Sequence, residues 1–157
     1  MKTQQEFEKW AILPASIEAA QATLGANMIE GAEAEPQDEM DEYTFSEAGG
    51  VAIIPVHGVI GHKVGAVAKM LGAVDALDVM AAIELAADDD EVDTIILDID
   101  SPGGTVAGVP ELAETVEAVQ ASGTKKIYAY TDSQMASAAY WLAAGANGIF
   151  AAPSADV

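Results

Sequence analysis

From residue 49 onward, hydrophobic and polar positions alternate in a way that predicts strands and helices in turn. Short runs rich in β-branched and aromatic residues predict strands, and apolar residues at helical spacing predict helices between them. The order β-α-β-α-β-α-β that results predicts an α/β fold, a parallel sheet with crossover helices. The predicted strands are 51–56, 93–99, 126–131 and 148–151. The helical stripes are Val74, Leu77, Ala81 and Leu85, then Val109, Leu112, Val116 and Val119, with a third helix from about residue 137.

The N-terminal third of the chain has a different character. Ser16 can cap a helix that Gly25 ends, so residues 1–28 are expected to form a helical arm. Residues 29–48 hold eight acidic side chains, no basic ones and few large hydrophobic ones, which predicts a flexible acidic linker. An acidic recognition segment is the alternative. Residues 49–157 form the predicted domain, which we expect to be truncated because its last strand has no helix after it.

Composition narrows the classes of partner. The net charge of −20, with six lysines and no arginine, argues against binding to nucleic acid or to an anionic membrane surface. No apolar run approaches the roughly 20 residues of a membrane span, and the N-terminus has no secretory pattern. The chain has no cysteine, which excludes disulfides and thiolate chemistry and fits a reducing, cytoplasmic compartment. We expect no cofactor and no metal.

The most informative motif is Ser101-Pro102-Gly103-Gly104, which follows the predicted strand 93–99. Two adjacent glycines at the end of a buried strand leave backbone N–H groups that a chain or a developing anion can approach closely. Such an arrangement is typical of an oxyanion hole.

A candidate nucleophile, Ser137, lies in a segment of small and apolar residues at the predicted start of a helix. The N–H groups of a first helical turn lack intrahelical partners. A serine nucleophile also needs a base. The candidates are His57, His62, Lys63, Lys69, Lys125 and Lys126. The alternatives are that Ser137 is a small packing residue, that His57 merely ends a strand, and that the lysines are solvated charges.

These segments resemble a known family. Asp100–Gly104, Met135-Ala136-Ser137-Ala138 and the run Ile53–Ile60 are similar to the signal peptide peptidase A family of serine–lysine peptidases, and most of all to its phage head-maturation branch. The resemblance covers residues 49–157. It implies a Clp/crotonase-like fold, Ser137 as nucleophile, and an oxyanion hole built from the Gly103-Gly104 loop and the N–H of Ala138. In that family a lysine some tens of residues after the serine acts as the base, and no lysine of this chain matches it.

The resemblance therefore implies an incomplete serine endopeptidase whose lysine base is absent from this chain. It also implies peptide or protein substrates, such as capsid or scaffold proteins, a homo-oligomer, and a place in the host cytoplasm or the phage prohead. One alternative is a Clp-type protease, which needs a histidine after the serine. Others are an acyl-CoA-binding relative, in which Ser137 has no role, and a non-catalytic scaffold module. We also expect Gly104→Val to abolish turnover while leaving folding mostly intact.

Overall fold

The structure is a computed structural model, and it describes residues 10–12 and 46–157. Strands and helices alternate through the second range, as the hydrophobic pattern predicts. The strands are β1 (Trp10–Ile12), β2 (Ser46–Ala48), β3 (Val51–His57), β4 (Ile60–Gly61), β5 (Val74–Asp75), β6 (Thr94–Asp100), β7 (Gly103–Thr105), β8 (Lys126–Thr131) and β9 (Gly148–Ala151). The helices are α1 (Ala66–Met70), α2 (Ala76–Asp88), α3 (Val109–Ser122) and α4 (Ala138–Ala144).

A five-stranded sheet of order β2-β3-β6-β8-β9 forms the centre of the domain. The strands β3, β6, β8 and β9 are mutually parallel, and β2 joins the edge antiparallel to β3. The predicted α/β class, with a parallel sheet and crossover helices, is thus confirmed. The described part of β2 pairs with Val51–Ile53 of β3, and Pro55 is the register partner of Asp98 on β6.

The main core lies between one face of this sheet and the helices. Alternate residues of β3, β6 and β8 point into it, and they share one apolar cluster with residues of α2, α3 and α4. The predicted inner stripe of α3 is correct, since all four of its members are buried. Gly123 ends that helix in the left-handed conformation, with φ 67°.

The predicted stripe of α2 is wrong. Leu77 and Leu85 are exposed, and Val74 belongs to β5 rather than to the helix. The side that packs on the core is built largely from alanine: Ala76, Val79, Ala82, Ile83 and Ala86. Helix α2 is apolar on more than one side, and the face with small side chains allows a close approach to the sheet. Spacing alone does not choose between such faces.

A second, four-stranded sheet has the order β1-β7-β4-β5. Strand β1 runs antiparallel to β7, and β7, β4 and β5 are parallel. Part of the predicted loop 101–104 therefore belongs to a strand. Within the segments expected as arm and linker, Trp10–Ile12 and Ser46–Ala48 also form strands. The predicted helix 17–24 and the rest of the linker lie outside the described residues.

Among the described residues, no helix is long and apolar enough to cross a membrane.

Candidate functional site

Ser137 occupies the turn that connects β8 to α4. It is the N-cap residue of α4, with φ 55° and ψ −114°. Residues other than glycine rarely adopt a positive φ. Its side chain is exposed and forms no hydrogen bond with any described residue. The predicted position at a helix N-terminus is confirmed, and the catalytic role stays a prediction. A strained strand-to-helix turn that presents a free hydroxyl is an arrangement found around serine nucleophiles.

Backbone pairing brings the two sequence motifs together. Ser101 and Met135 form a parallel bridge. The Ser101 N–H donates to the Gln134 carbonyl at 2.7 Å, and the Ala136 N–H donates to the Ser101 carbonyl at 3.1 Å. Helix α4 packs against β7, the strand that begins with Gly103 and Gly104. The Ser-Pro-Gly-Gly segment thus lies beside the segment that leads into Ser137.

The side chain of Ser101 has a role that the sequence analysis missed. It is fully buried, and its Oγ donates to the Gly58 carbonyl at 2.6 Å while accepting from the Gly103 N–H at 3.1 Å. These two bonds join the end of β3 to the start of β7. The available signal was a serine two residues before a glycine at a turn, where serine hydroxyls often bond to nearby backbone groups.

This bond also changes the set of candidate oxyanion donors. The N–H of Gly103 is already donated to Ser101, whereas Ala138 is the first residue of α4, where an N–H has no intrahelical acceptor. Of the three residues that the resemblance assigns to the hole, Gly103 is therefore the weakest candidate.

Gly104 is required for strand packing, independently of any catalytic role. It pairs with Ile60 of β4, and a Cβ at Gly104 would overlap the Ile60 carbonyl oxygen. The Ile60 carbonyl carbon and amide nitrogen would lie only 2.6 and 2.7 Å from that Cβ. The expectation that Gly104→Val leaves folding mostly intact is therefore wrong, because backbone atoms in a paired strand cannot easily move aside.

None of the candidate bases hydrogen-bonds to Ser137 within the part of the chain that the structure describes. Three of them have other partners. The Lys125 ammonium donates to the carbonyls of Asp89 and Val92, Lys69 pairs with Asp78 at 2.7 Å, and His57 Nε2 lies 3.0 Å from Asp98 Oδ2.

The other three candidates lie elsewhere on the domain. Lys126 opens β8, whereas Ser137 follows the far end of that strand, roughly 20 Å away at about 3.3 Å per residue. His62 and Lys63 belong to the loop after β4, where His62 lies against Gly108 and the Lys63 N–H donates to Asp75. The site as described thus combines a candidate nucleophile with two candidate N–H donors.

A cleft of about 410 Å³ opens beside Ser137. Tyr140, one turn along α4, forms part of its wall, together with Met135, Ala136, Asp156 and Val157. The Met135 N–H donates to the Asp156 carbonyl at 2.9 Å, which holds that wall in place. Ser137 therefore lines an open cleft beside the start of α4.

Two curated bacteriophage proteins are similar in sequence to this chain. The chain is 29% identical over 118 residues to the head-tail preconnector protein GP5 of Enterobacteria phage P21, covering 69% of this chain. It is 31% identical over 104 residues to the capsid assembly protease C of Escherichia phage lambda, covering 66% of this chain. The chain spans 23% of the length of each of these relatives. No protein-family model matches the chain.

Two solved structures are also similar. They are a probable enoyl-CoA hydratase from Mycobacterium smegmatis, with TM-score 0.47 and 18% identity, and an enoyl-CoA hydratase/isomerase family member, with TM-score 0.46 and 14% identity. They cover 71% and 69% of this chain, and the matched part is 49% and 46% of theirs. At these TM-scores the likeness adds nothing to the architecture already described.

Proposed function

We propose that this chain carries the nucleophile and oxyanion hole of a serine endopeptidase that acts in phage head maturation. The single observation that carries the proposal is the backbone of Ser137, whose φ of 55° presents an exposed hydroxyl at the junction of β8 and α4. The similarity to a phage protein named as a capsid assembly protease supports the setting and the substrate class.

In the proposed reaction, the Ser137 Oγ attacks the scissile carbonyl carbon while its proton passes to a base. The tetrahedral oxyanion accepts hydrogen bonds from the N–H groups of Gly104 and Ala138. Such donors are each worth about 10²–10³ in rate in acyl-transfer enzymes. The intermediate collapses, the C–N bond breaks, and the amine leaves with the proton from the base. Water then attacks the acyl-serine ester, and the acid product and the free hydroxyl of Ser137 are released.

The base in this proposal is a lysine outside the described residues. The resemblance to serine–lysine peptidases implies such a lysine after the serine, and the phage relatives are much longer than this chain. A lysine acts as a base when burial lowers its pKa, because the uncharged amine is then available to accept a proton.

The test is labelling with a fluorophosphonate probe that reacts with activated serines. We expect slow or no labelling of residues 1–157 and rapid labelling of a chain extended to the length of the phage relatives. Ser137→Ala should remove the signal. Ser133→Ala is the matched control, since Ser133 is another exposed serine of the same segment, and it should leave labelling unchanged.

Two results would contradict the proposal. Labelling that survives Ser137→Ala would place the nucleophile elsewhere. Fast labelling of residues 1–157 alone would show that this chain already holds a base, which contradicts a lysine base that follows Ser137, since the last lysine of this chain is Lys126.

The second candidate is a non-catalytic module of the same fold that binds capsid or scaffold proteins. It is favoured by one observation, that no described lysine or histidine reaches the hydroxyl of Ser137. An extended chain that folds but never labels, and that fails to cleave capsid-derived peptides, would support this candidate over the peptidase.

A further inference from the structure

Within the described residues, the five-stranded sheet has an exposed apolar face on the side away from α2, α3 and α4. Alternation along the strands turns one set of residues toward the helices and the other set away from them. The set that points away includes Ile53, Ile96, Tyr128, Tyr130 and Phe150, which we call the open face. Three of its members are well exposed, with Ile53 at 37%, Tyr130 at 39% and Phe150 at 59%. All five, together with Asp98, line a shallow groove of about 520 Å³.

Aromatic side chains of the open face contact one another across neighbouring strands. Tyr130 and Phe150 are register partners on β8 and β9, and the rings of Tyr128 and Phe150 meet edge to face with their centroids 5.7 Å apart. Helices α2, α3 and α4 share their apolar cluster with the opposite face. Parallel strands are almost always covered on both faces, so an exposed aromatic patch here is unusual for a surface without a partner.

Charged side chains of opposite sign lie at the two ends of the open face. Lys126 lies at the beginning of β8, level with Thr94 on β6, while Asp100 ends β6. Six residues of strand therefore separate the ammonium from the carboxylate, roughly 20 Å at about 3.3 Å per residue. Both side chains are exposed, and neither forms an ion pair with a residue in the described ranges.

The charged ends of the open face in one copy can match those in a second copy. If a second copy packs face to face with its strands antiparallel, the Lys126 end of each copy lies over the Asp100 end of the other. The aromatic residues then meet in the middle. A two-fold axis between the sheets makes both ion pairs at once, as an isologous interface requires. Packed sheets separated by about 10 Å bring such side chains within reach.

We propose that two copies of this chain associate through the open face of the five-stranded sheet. The occupant is a second copy because the mostly apolar face has a cation, Lys126, at one end and carboxylates, Asp98 and Asp100, toward the other end, and these charges match each other only when the strands are reversed. The net charge of −20 opposes any association that lacks such pairing. The proposal does not depend on the role of Ser137.

The area of the open face determines how tightly two copies are expected to bind. Four parallel strands spaced about 4.8 Å apart, with about 3.3 Å per residue, give roughly 300–500 Å² per copy. Interfaces this small are typical of weak, transient complexes. The chain should therefore be monomeric when dilute and dimeric when concentrated.

The first experiment is sedimentation equilibrium of the full chain over a wide concentration range. Phe150→Asp should weaken the dimer by about tenfold or more, since a buried aromatic at the centre of an interface is a typical hot spot. The matched control is Leu85→Asp on α2, where an apolar residue of similar exposure, 57%, lies outside the open face. That variant should associate like the unchanged chain.

The second experiment is a charge exchange. Lys126→Glu and Asp100→Lys should each weaken self-association several-fold, because each places like charges opposite one another across the two-fold axis. An equimolar mixture of the two variants should recover association, because both charge pairs are then complementary in the mixed dimer. Circular dichroism of each variant checks that it is folded, and these exposed sites keep the test valid if Phe150→Asp fails to fold.

Three outcomes would overturn the proposal. The unchanged chain could stay monomeric at every concentration. Leu85→Asp could dissociate a dimer that Phe150→Asp leaves intact. Finally, the mixed variants could fail to recover association although each alone is folded and monomeric. None of these outcomes bears on labelling of Ser137, so failure here and failure of the proposed peptidase are distinguishable.

Discussion

At the scale of single residues, the backbone of Ser137 is the most unusual feature of the site. Lys63 and Ser137 are the two non-glycine residues with positive φ in the described part of the chain. At Lys63 the loop is supported by the buried carboxylate of Asp75, which accepts hydrogen bonds from the N–H groups of Lys63, Val64 and Leu77. In the described part of the chain, backbone bonds hold the turn at Ser137, among them those from the Ala136 N–H to the Ser101 carbonyl and from the Trp141 N–H to the Ser137 carbonyl. Such strain costs about 1–3 kcal/mol and is concentrated at functional sites.

Replacing Ser137 by glycine should therefore stabilise the protein while removing its proposed function. Glycine adopts φ 55° without steric conflict, although its greater freedom in the unfolded chain offsets part of the gain. We expect the free energy of unfolding to rise by about 1 kcal/mol, as measured by denaturant unfolding. Ser133→Gly is the control, because Ser133 has no positive φ, and it should be neutral or destabilising. Equal effects of the two substitutions would show that Ser137 is not strained.

At the scale of elements, the short strand β7 links the site to the second sheet. It pairs with β1 on one side and β4 on the other, and α4 packs against it. Its glycines let Ile60 of β4 approach the chain at Gly104 more closely than any side chain would allow. The same strand thus aligns the second sheet and carries a candidate oxyanion donor. Substitutions in β7 should therefore lower both the stability of the fold and the proposed catalytic activity.

Gly104→Ala should lower the free energy of unfolding by about 1–3 kcal/mol, the usual cost of forcing an extra methyl group into a packed site. Gly65→Ala is a matched control, because a Cβ at Gly65 meets no atom within 4 Å and its φ of −69° suits alanine. Because Gly65 is the N-cap of α1, where alanine is less favourable than glycine, the lower entropy of the unfolded chain is offset, and the change should have an effect well below that of Gly104→Ala. Denaturant titration of both variants gives the comparison, and equal stabilities would show that β4 and β7 can move apart at little cost.

At the scale of the whole molecule, negative charge is spread unevenly. Eight of the 26 acidic residues lie within residues 29–48, and no basic residue does. The part of the chain that the structure describes also carries exposed acids, among them Glu111, Glu114 and Glu117 on the outer side of α3. The open face, by contrast, is mostly apolar between Lys126 and Asp100, and its Asp98 is paired with His57. The charge pattern therefore limits association to surfaces where opposite charges can be matched.

The composition of residues 29–45 predicts that a glutamate-specific protease will cleave there first. A segment so rich in like charge and so poor in hydrophobic residues cannot bury enough apolar surface to resist unfolding locally. Glu111, Glu114 and Glu117 are the internal controls, since they are glutamates of the same chain that belong to helix α3. Mass spectrometry of a time course gives the order of cleavage. Early cuts within α3 and late cuts within 29–45 would contradict the prediction.

Much of the architecture could be predicted from the sequence because it depends on short-range patterns. The apolar runs at 94–100 and 126–131 and the stripe through α3 reflect the periods of strand and helix, which act over a few residues. The position of Ser137 before a helix follows from the same local signals. These features were predicted correctly, together with the parallel sheet that alternation of the two element types implies.

What only the tertiary structure decided depends on contacts between distant segments. The strands β4, β5 and β7 are two or three residues long and carry no detectable period, so their pairing defines them. The core-facing side of α2 was chosen by the fit of alanines against the sheet, and Ser101 found its partner at Gly58, 43 residues away. The local hydrophobic pattern indicates which residues favour burial. Tertiary packing determines which of them are in fact covered by another element. The apolar residues of the open face are the clearest case, since their sequence resembles that of buried strands and only the fold leaves them exposed.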